Sequence, residues 1–287
     1  MTDLSLGYLS LPGASATDLV QSAHSAGLPQ VGLRIAGRRP DDAGDWVADD
    51  PAALRTLQAA LQHTGIRVMN VAAHYVDGET RVADFSRAFD TAAALGARFF
   101  CLSSYDADES RLSQTLGALA EAAAARRLTL ALEFVPYSQT RTLDAACRVI
   151  EGARAGNLGV LLDLLHFMRS GSSLQSLRVA ARHIGFVQLC DGTLQSPAPE
   201  HLADEARGGR LYPGEGAFPL ADILGALPAG LPLEIEVPHA SVRHLPFADQ
   251  AIAAATAVLR YLETAPGVAP SSNPSTSLTF TTQKEPA

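Results

Sequence analysis

Apolar residues are distributed along the chain in two alternating textures. Dense runs begin at Leu4 (LSLGYL), Gln30 (QVGLRI), Arg67 (RVMNVAA), Arg98 (RFFCLS), Leu128 (LTLALEF), Leu158 (LGVLLDL), His183 (HIGFVQLC) and Leu231 (LPLEIEV). Continuous apolar runs of this length read as strands buried on both faces. Between them, apolar side chains recur every three or four residues over Asp18–Ala26, Pro51–His63, Val82–Leu95, Ser110–Arg126, Leu143–Ala155 and Leu174–Arg182, with a short seventh stretch around Leu220–Leu227 and a last one from about Pro246 to Glu263. That spacing predicts helices packed by one face onto a sheet.

Local punctuation agrees with these boundaries. Ser15 and Asp18 have the spacing of a capping box, and Asp50 followed by Pro51 is a helix start with proline in the first turn. Gly27, Gly65, Gly96 and Gly156 each separate a helical stretch from the next strand, the place where a left-handed residue commonly ends a helix. Eight strand–helix repeats over roughly 260 residues fit a (β/α)8 TIM barrel occupying residues 1–264. An open doubly wound sheet fits less well, because no GxGxxG follows the first strand and no GxxxxGK occurs. From about Ala265 the chain turns rich in Pro, Ser and Thr, so residues 265–287 read as a disordered tail.

Four strand-like runs end on polar residues: Glu133, Asp163, Gln188 and Glu236. A carboxylate or amide buried at such a place is costly unless something binds it. In a barrel these four positions, on strands five to eight, share the rim where functional groups gather. Three carboxylates and an amide oxygen form an all-oxygen set suited to one divalent ion, Mn²⁺ or Mg²⁺ first, with Co²⁺ and Zn²⁺ compatible. Glu234 shares a strand face with Glu236, but Glu236 lies nearer the end and is the better rim residue; Glu234 reads as a deeper acid.

Composition narrows the function. A net charge of −8 without a dense basic run argues against nucleic-acid binding. No stretch of about 18 apolar residues spans a membrane, and the N-terminus lacks a signal-peptide pattern. The three cysteines show no CxxC spacing and read as reduced thiols, so a cytoplasmic protein is expected. Oligomeric state is open, and a homo-oligomer is compatible with the pattern.

Several further residues near strand ends are candidates for binding or proton transfer. His166, three residues after Asp163, can serve as donor or general acid. Arg207 in the glycine-flanked EARGGR can bind a hydroxyl, carboxylate or phosphate, and Arg210 either does the same or is a solvated loop charge. His74 and Arg34 follow the third and second strands on the same rim, and Asp191 is placed to orient a ligand or Arg207. Glu215, His201, His239 and His244 read as loop residues.

The combination of Glu133, the D-x-x-H of Asp163 and His166, Gln188 followed by Asp191, Arg207 and Gly209 before P-G-E-G (Pro213–Gly216), and the E-x-P of Glu236 and Pro238 resembles the xylose isomerase-like TIM barrels, the sugar phosphate isomerase/epimerase superfamily. The resemblance covers Leu4 to Glu263. It implies a divalent ion held by Glu133, Asp163, Gln188 and Glu236, with Glu133 and Glu236 exchanging proton-acceptor and donor roles. Gln188 stands where ketose epimerases of the superfamily have His and is similar to the hydroxypyruvate isomerase and dehydroshikimate dehydratase branches. The expected activity is isomerisation or epimerisation of a small polyhydroxylated carbonyl compound through an enediolate, with dehydration of a keto-polyol as the alternative; the full acid set speaks against a pure binding module.

Overall fold

A computed structural model describes residues 4–39, 42 and 44–264. Eight parallel strands close into a barrel in sequence order: β1 (Leu4–Leu6), β2 (Gln30–Leu33), β3 (Arg67–Val76), β4 (Phe99–Ser104), β5 (Thr129–Glu133), β6 (Leu158–Asp163), β7 (Ile184–Leu189) and β8 (Leu233–Ile235). Closure is made by β1 on β8, with Leu4 opposite Leu233. Outside lie α1 (Ala16–Ser25), α2 (Pro51–Thr64), α3 (Ser86–Ala94), α4 (Glu109–Ala124), α5 (Leu143–Ala153), α6 (Leu164–Arg169), α7 (Leu174–Ala180), α8 (Leu202–Gly208), α9 (Leu220–Gly225) and α10 (Phe247–Thr264).

Helix starts follow their side-chain chemistry. Ser15 and Asp18 form the reciprocal capping box of α1, and Asp50 accepts from the Ala52 N–H ahead of α2. Gly65 ends α2 at φ 73°, as expected, but Gly156 is not the residue that turns α5: Arg154 takes the left-handed position at φ 52°. α6 and α8, absent from the periodicity reading, are single or double turns too short to show a repeat.

The main core lies between the strands and the helices. A smaller one plugs the barrel interior with Met69, Ala72, Phe99, Cys101, Ala131, Leu161 and Phe186, Phe99 and Phe186 packing ring to ring at 4.9 Å. Side chains two residues further along share the same face. Phe99 and Cys101 are thus followed by Ser103, Ala131 by Glu133, Leu161 by Asp163 and Phe186 by Gln188. The interior is apolar in its lower layer and polar at its C-terminal mouth. Among the described residues no helix is long and apolar enough to cross a membrane, and the expected tail lies outside them.

Candidate active site

At the mouth, Glu133, Gln188 and Glu236 line one cavity of about 660 Å³ including its open side, together with Ser103, His166, Arg207 and Arg210. Asp163 lies directly beneath, fully buried at the end of β6. Its Oδ1 caps α6 by accepting from the His166 N–H at 2.9 Å, so the strand end, the cap and His166 are fixed as one unit.

Arg210 is the central cation, and it is no solvated loop charge. Its side chain is 1% exposed; Nη1 donates to Asp163 Oδ2 at 2.7 Å, Nη2 lies 3.3 Å from Glu236 Oε2, and Nε donates to the Ala206 carbonyl. Burial alone would lower its pKa, but Asp163, Cys190 and Glu236 hold it well above the usual value, a guanidinium that stays charged. Against burial, which acts to raise it, the Asp163 pKa ends below its ordinary value because Arg210 and the His166 dipoles favour the anion.

The other acids are less well compensated. Glu133 accepts from the Ser103 hydroxyl at 3.0 Å and faces His166 Nε2 at 3.6 Å; burial and the Asp163 charge push its pKa up to about 7. Glu234 accepts from Ser5, Asn70 and Gln188, yet burial carries it to about 7 as well. It is the deeper acid, and Gly32 makes room for it: a Cβ there would sit 2.2 Å from Glu234 Oε2. The Glu236 pKa is raised well above the normal range, chiefly by burial. His166 is pulled down to about 4 by burial and is a neutral imidazole at pH 7.

Gln188 carries an open valence. Its Nε2 donates to both Glu234 Oε1 (3.0 Å) and Glu236 Oε1 (2.9 Å), which fixes the amide's orientation, while its Oε1 is buried without a partner. An orphaned acceptor beside several under-compensated carboxylates is a group of donors that a cation would satisfy. Ligand atoms of Glu133, Asp163 and His166 also lie within 4.8 Å of one another. These donors fit a divalent ion, with His166 joining the oxygen set expected from sequence.

Not every expected residue reaches the mouth. The register of β3 against β4 shifts between Val71 and His74, so Ala72, Ala73 and Tyr75 line the cavity while His74 turns into the strand–helix core. There it stacks on Phe100 at 4.1 Å and is held neutral by burial, with a pKa near 3. Arg34 follows the end of β2 and lies over the Trp46 ring at 4.4 Å, and it does not line the cavity. Asp191 does not line the cavity: its carboxylate accepts from the N–H groups of Gly192, Gly214, Gly216 and Phe218, stapling the Pro213–Gly216 loop to the end of β7. Arg207 is exposed and lines the cavity as expected.

The cavity also contains residues the sequence reading passed over: Tyr8, Arg38, Tyr75, Tyr105 and Tyr137. Tyr8, Tyr105 and Tyr137 each stand within four residues of a strand's C-terminal end, and that position was their available signal.

The sequence profile of the family described as "Xylose isomerase-like TIM barrel" matches residues 20–263. An inosose isomerase of Bacillus subtilis (strain 168) is 35% identical over 100 residues, which is 34% of this chain and 34% of that protein; the match thus spans about a third of the curated relative. Among solved structures, a xylose isomerase-like TIM barrel/4-hydroxyphenylpyruvate dioxygenase fusion protein superposes with a TM-score of 0.76 at 21% identity, over 92% of this chain and 43% of that one. The IolI protein with a bound zinc atom gives 0.75 at 19% identity, over 92% and 99%. At these identities the structural likeness speaks to fold alone, but the profile match covers most of the chain and joins it to the barrel and its strand-end acids: the protein belongs to the xylose isomerase-like TIM barrel family.

Proposed function

We propose that the chain is a divalent-metal-dependent isomerase or epimerase of a small polyhydroxylated carbonyl compound, with Glu133, Asp163, Gln188 and Glu236 holding the ion. The observation that carries this reading is the orphaned Gln188 Oε1 among raised-pKa carboxylates at one barrel mouth. The printed activity of the Bacillus subtilis relative and the zinc in the IolI structure are consistent with it. A bound ion would polarise the substrate carbonyl and stabilise negative charge developing on its oxygen.

The chain's own groups then move the proton. Glu133, with a pKa near 7, is poised to take a proton from the carbon next to the carbonyl, leaving an enediolate. Ser103 holds one of its oxygens, so the other, on the His166 side, faces the reaction. Glu236, from the end of β8, returns a proton on the opposite side, and Arg210 and Gln188 fix its orientation. Delivery to the other face of the same carbon is epimerisation; delivery to the neighbouring carbon is isomerisation.

Dehydration of a keto-polyol is the second reading. Glu236, whose raised pKa lets it carry a proton, is able to give that proton to a departing hydroxyl as the carbon–oxygen bond breaks, releasing water and diverting the same enolate to elimination, with neutral His166 beside Glu133 as a hydrogen-bond donor. Incubation with Mn²⁺ and candidate keto sugars and inososes in D₂O, followed by NMR and mass spectrometry, tests both. Deuterium at the α-carbon with conserved skeleton mass supports the isomerase, and a product lighter by one water supports the lyase. Absence of exchange and of product across the panel, with the ion shown to be bound, refutes the enolisation chemistry.

A further inference from the structure

The cavity is charged in two opposite ways. Its acidic half comes from β5 to β8, while Arg38, on the segment after β2, lines the other half. In a closed eight-stranded barrel with consecutive neighbours, β2 stands across from β6, so Arg38 faces Asp163's side of the mouth. Three guanidinium groups line the cavity: Arg38, Arg207 and Arg210. Arg210 is occupied by Asp163 and Glu236, whereas Arg38 and Arg207 have no side-chain carboxylate partner among the described residues.

Arg38 is half-buried and its backbone is held from two sides. Its N–H donates to Asp42 Oδ2 at 2.7 Å and its carbonyl accepts from the Tyr75 N–H at 2.7 Å. Around the guanidinium stand phenols in place of anions. It lies 5.7 Å from the Tyr75 ring centroid, Tyr8 lines the same cavity, and Tyr75 packs against Tyr105 at 4.5 Å. The Tyr8 hydroxyl adds a further donor to that cavity. Burial and the Glu236 and Glu133 charges raise the Tyr8 pKa, so its hydroxyl keeps its proton. A half-buried cation surrounded by hydrogen-bond donors and without a counter-anion is costly unless an anion completes it.

We propose that Arg38, with Tyr8 and Tyr75 and assisted by Arg207, forms an anion subsite, and that the substrate is a polyhydroxy carbonyl compound bearing a carboxylate or phosphate at the end remote from the reacting carbonyl. The proposal rests on the enolising function assigned above. It places the carbonyl against Glu133 and Glu236 and the anion against Arg38, which sets the direction in which the substrate lies in the mouth.

The test is calorimetric titration of the Mn²⁺-loaded full chain with three matched compounds: D-fructose, its C6 acid D-fructuronate and D-fructose 6-phosphate. At least one anionic compound binds tenfold or more tightly than fructose, the preference shrinks with added salt, and Arg38→Gln reduces it to within about twofold. The acid and phosphate arms show which anion the subsite takes. Equal binding of all three, binding of none, or a preference that survives in a folded Arg38→Gln chain overturns the proposal; circular dichroism establishes that the variant is folded. Proton exchange in the same samples separates this proposal from the enolising function. Exchange of fructose without anion preference overturns the subsite and leaves the chemistry standing. Arg38-dependent anion binding without exchange supports the subsite and counts against the chemistry.

Discussion

Replacing Arg210 with Met removes the one cation that the described structure places among the buried acids, while roughly keeping side-chain length. Asp163 Oδ2 loses a 2.7 Å charge-assisted bond and Glu236 Oε2 loses its neighbour at 3.3 Å, in a place where Asp163 is 0% and Glu236 5% exposed. Breaking a buried pair by deleting one partner costs about 3–5 kcal/mol, because the remaining charge has neither water nor counter-ion. For a chain of this size that corresponds to a fall in Tm of about 6–10 °C. Thermal denaturation in EDTA at pH 8 reads it. At pH 5 the deficit shrinks, since Glu236, whose pKa is already raised, takes up a proton in place of the lost cation. Saturating Mn²⁺ at pH 8 restores part of the loss by supplying the missing positive charge. A Tm within 2 °C of wild type at pH 8, about the effect of a change below 1 kcal/mol, would show that Arg210 is not the electrostatic keystone described above.

Other outcomes follow from the same groups. Glu133 and Glu234 titrate near 7 in the folded chain against 4.5 for a free glutamate. On these two groups the folded state therefore holds more protons than the unfolded one between these values, and their contribution to the stability of the metal-free chain falls as pH rises from about 4.5 to 7, while His166 and His74, with pKa values lowered by burial, contribute with the opposite sign; chemical denaturation of the wild type and of a Glu133→Gln, Glu234→Gln chain across that range isolates the glutamate part as the difference between the two slopes, and a wild-type slope that is no more negative than the variant's contradicts the assignment. Asp191→Asn leaves one acceptor oxygen where a carboxylate now serves four backbone N–H groups. It costs about 2–3 kcal/mol and accelerates hydrogen exchange at Gly214 and Gly216, with unchanged exchange there as the contrary result. His74→Phe retains the stack on Phe100 and replaces a buried, neutral imidazole with a fully apolar ring. It is neutral or stabilising in a melt and leaves proton exchange intact, whereas loss of exchange with an unchanged melt returns His74 to the site.

The barrel was legible because its strands are apolar runs separated by helical periodicity, and both patterns are local. The strand-end acids were legible for a related reason: Ala131 to Glu133 and Leu161 to Asp163 are two-residue steps along one face, so parity and depth place them at the mouth. What escaped depends on chain segments folding over from a distance. Arg210 in EARGGRLYPGEG reads equally as an anion-binding group and as a solvated loop charge, and only the docking of that loop by Asp191 and the antiparallel bridge of Asp191 to Leu211 brings it into the acid cluster. His74 was misplaced because the β3 register shift reverses the inward face after Val71, which no side-chain pattern announces. Arg34 and Arg38 differ in the path of the segment after β2, where Arg34 is captured by Trp46 and Arg38 goes on to the mouth.

The central claim is that one divalent ion completes the Glu133, Asp163, Gln188 and Glu236 cluster. Isothermal titration of the metal-stripped chain with Mn²⁺ at pH 7.5 tests it most directly, alongside Glu133→Gln and Glu236→Gln. One ion bound per chain, with proton release from the raised-pKa carboxylates and affinity lowered at least tenfold by either substitution, is the predicted result. Absence of saturable binding, or binding indifferent to both substitutions, would contradict it.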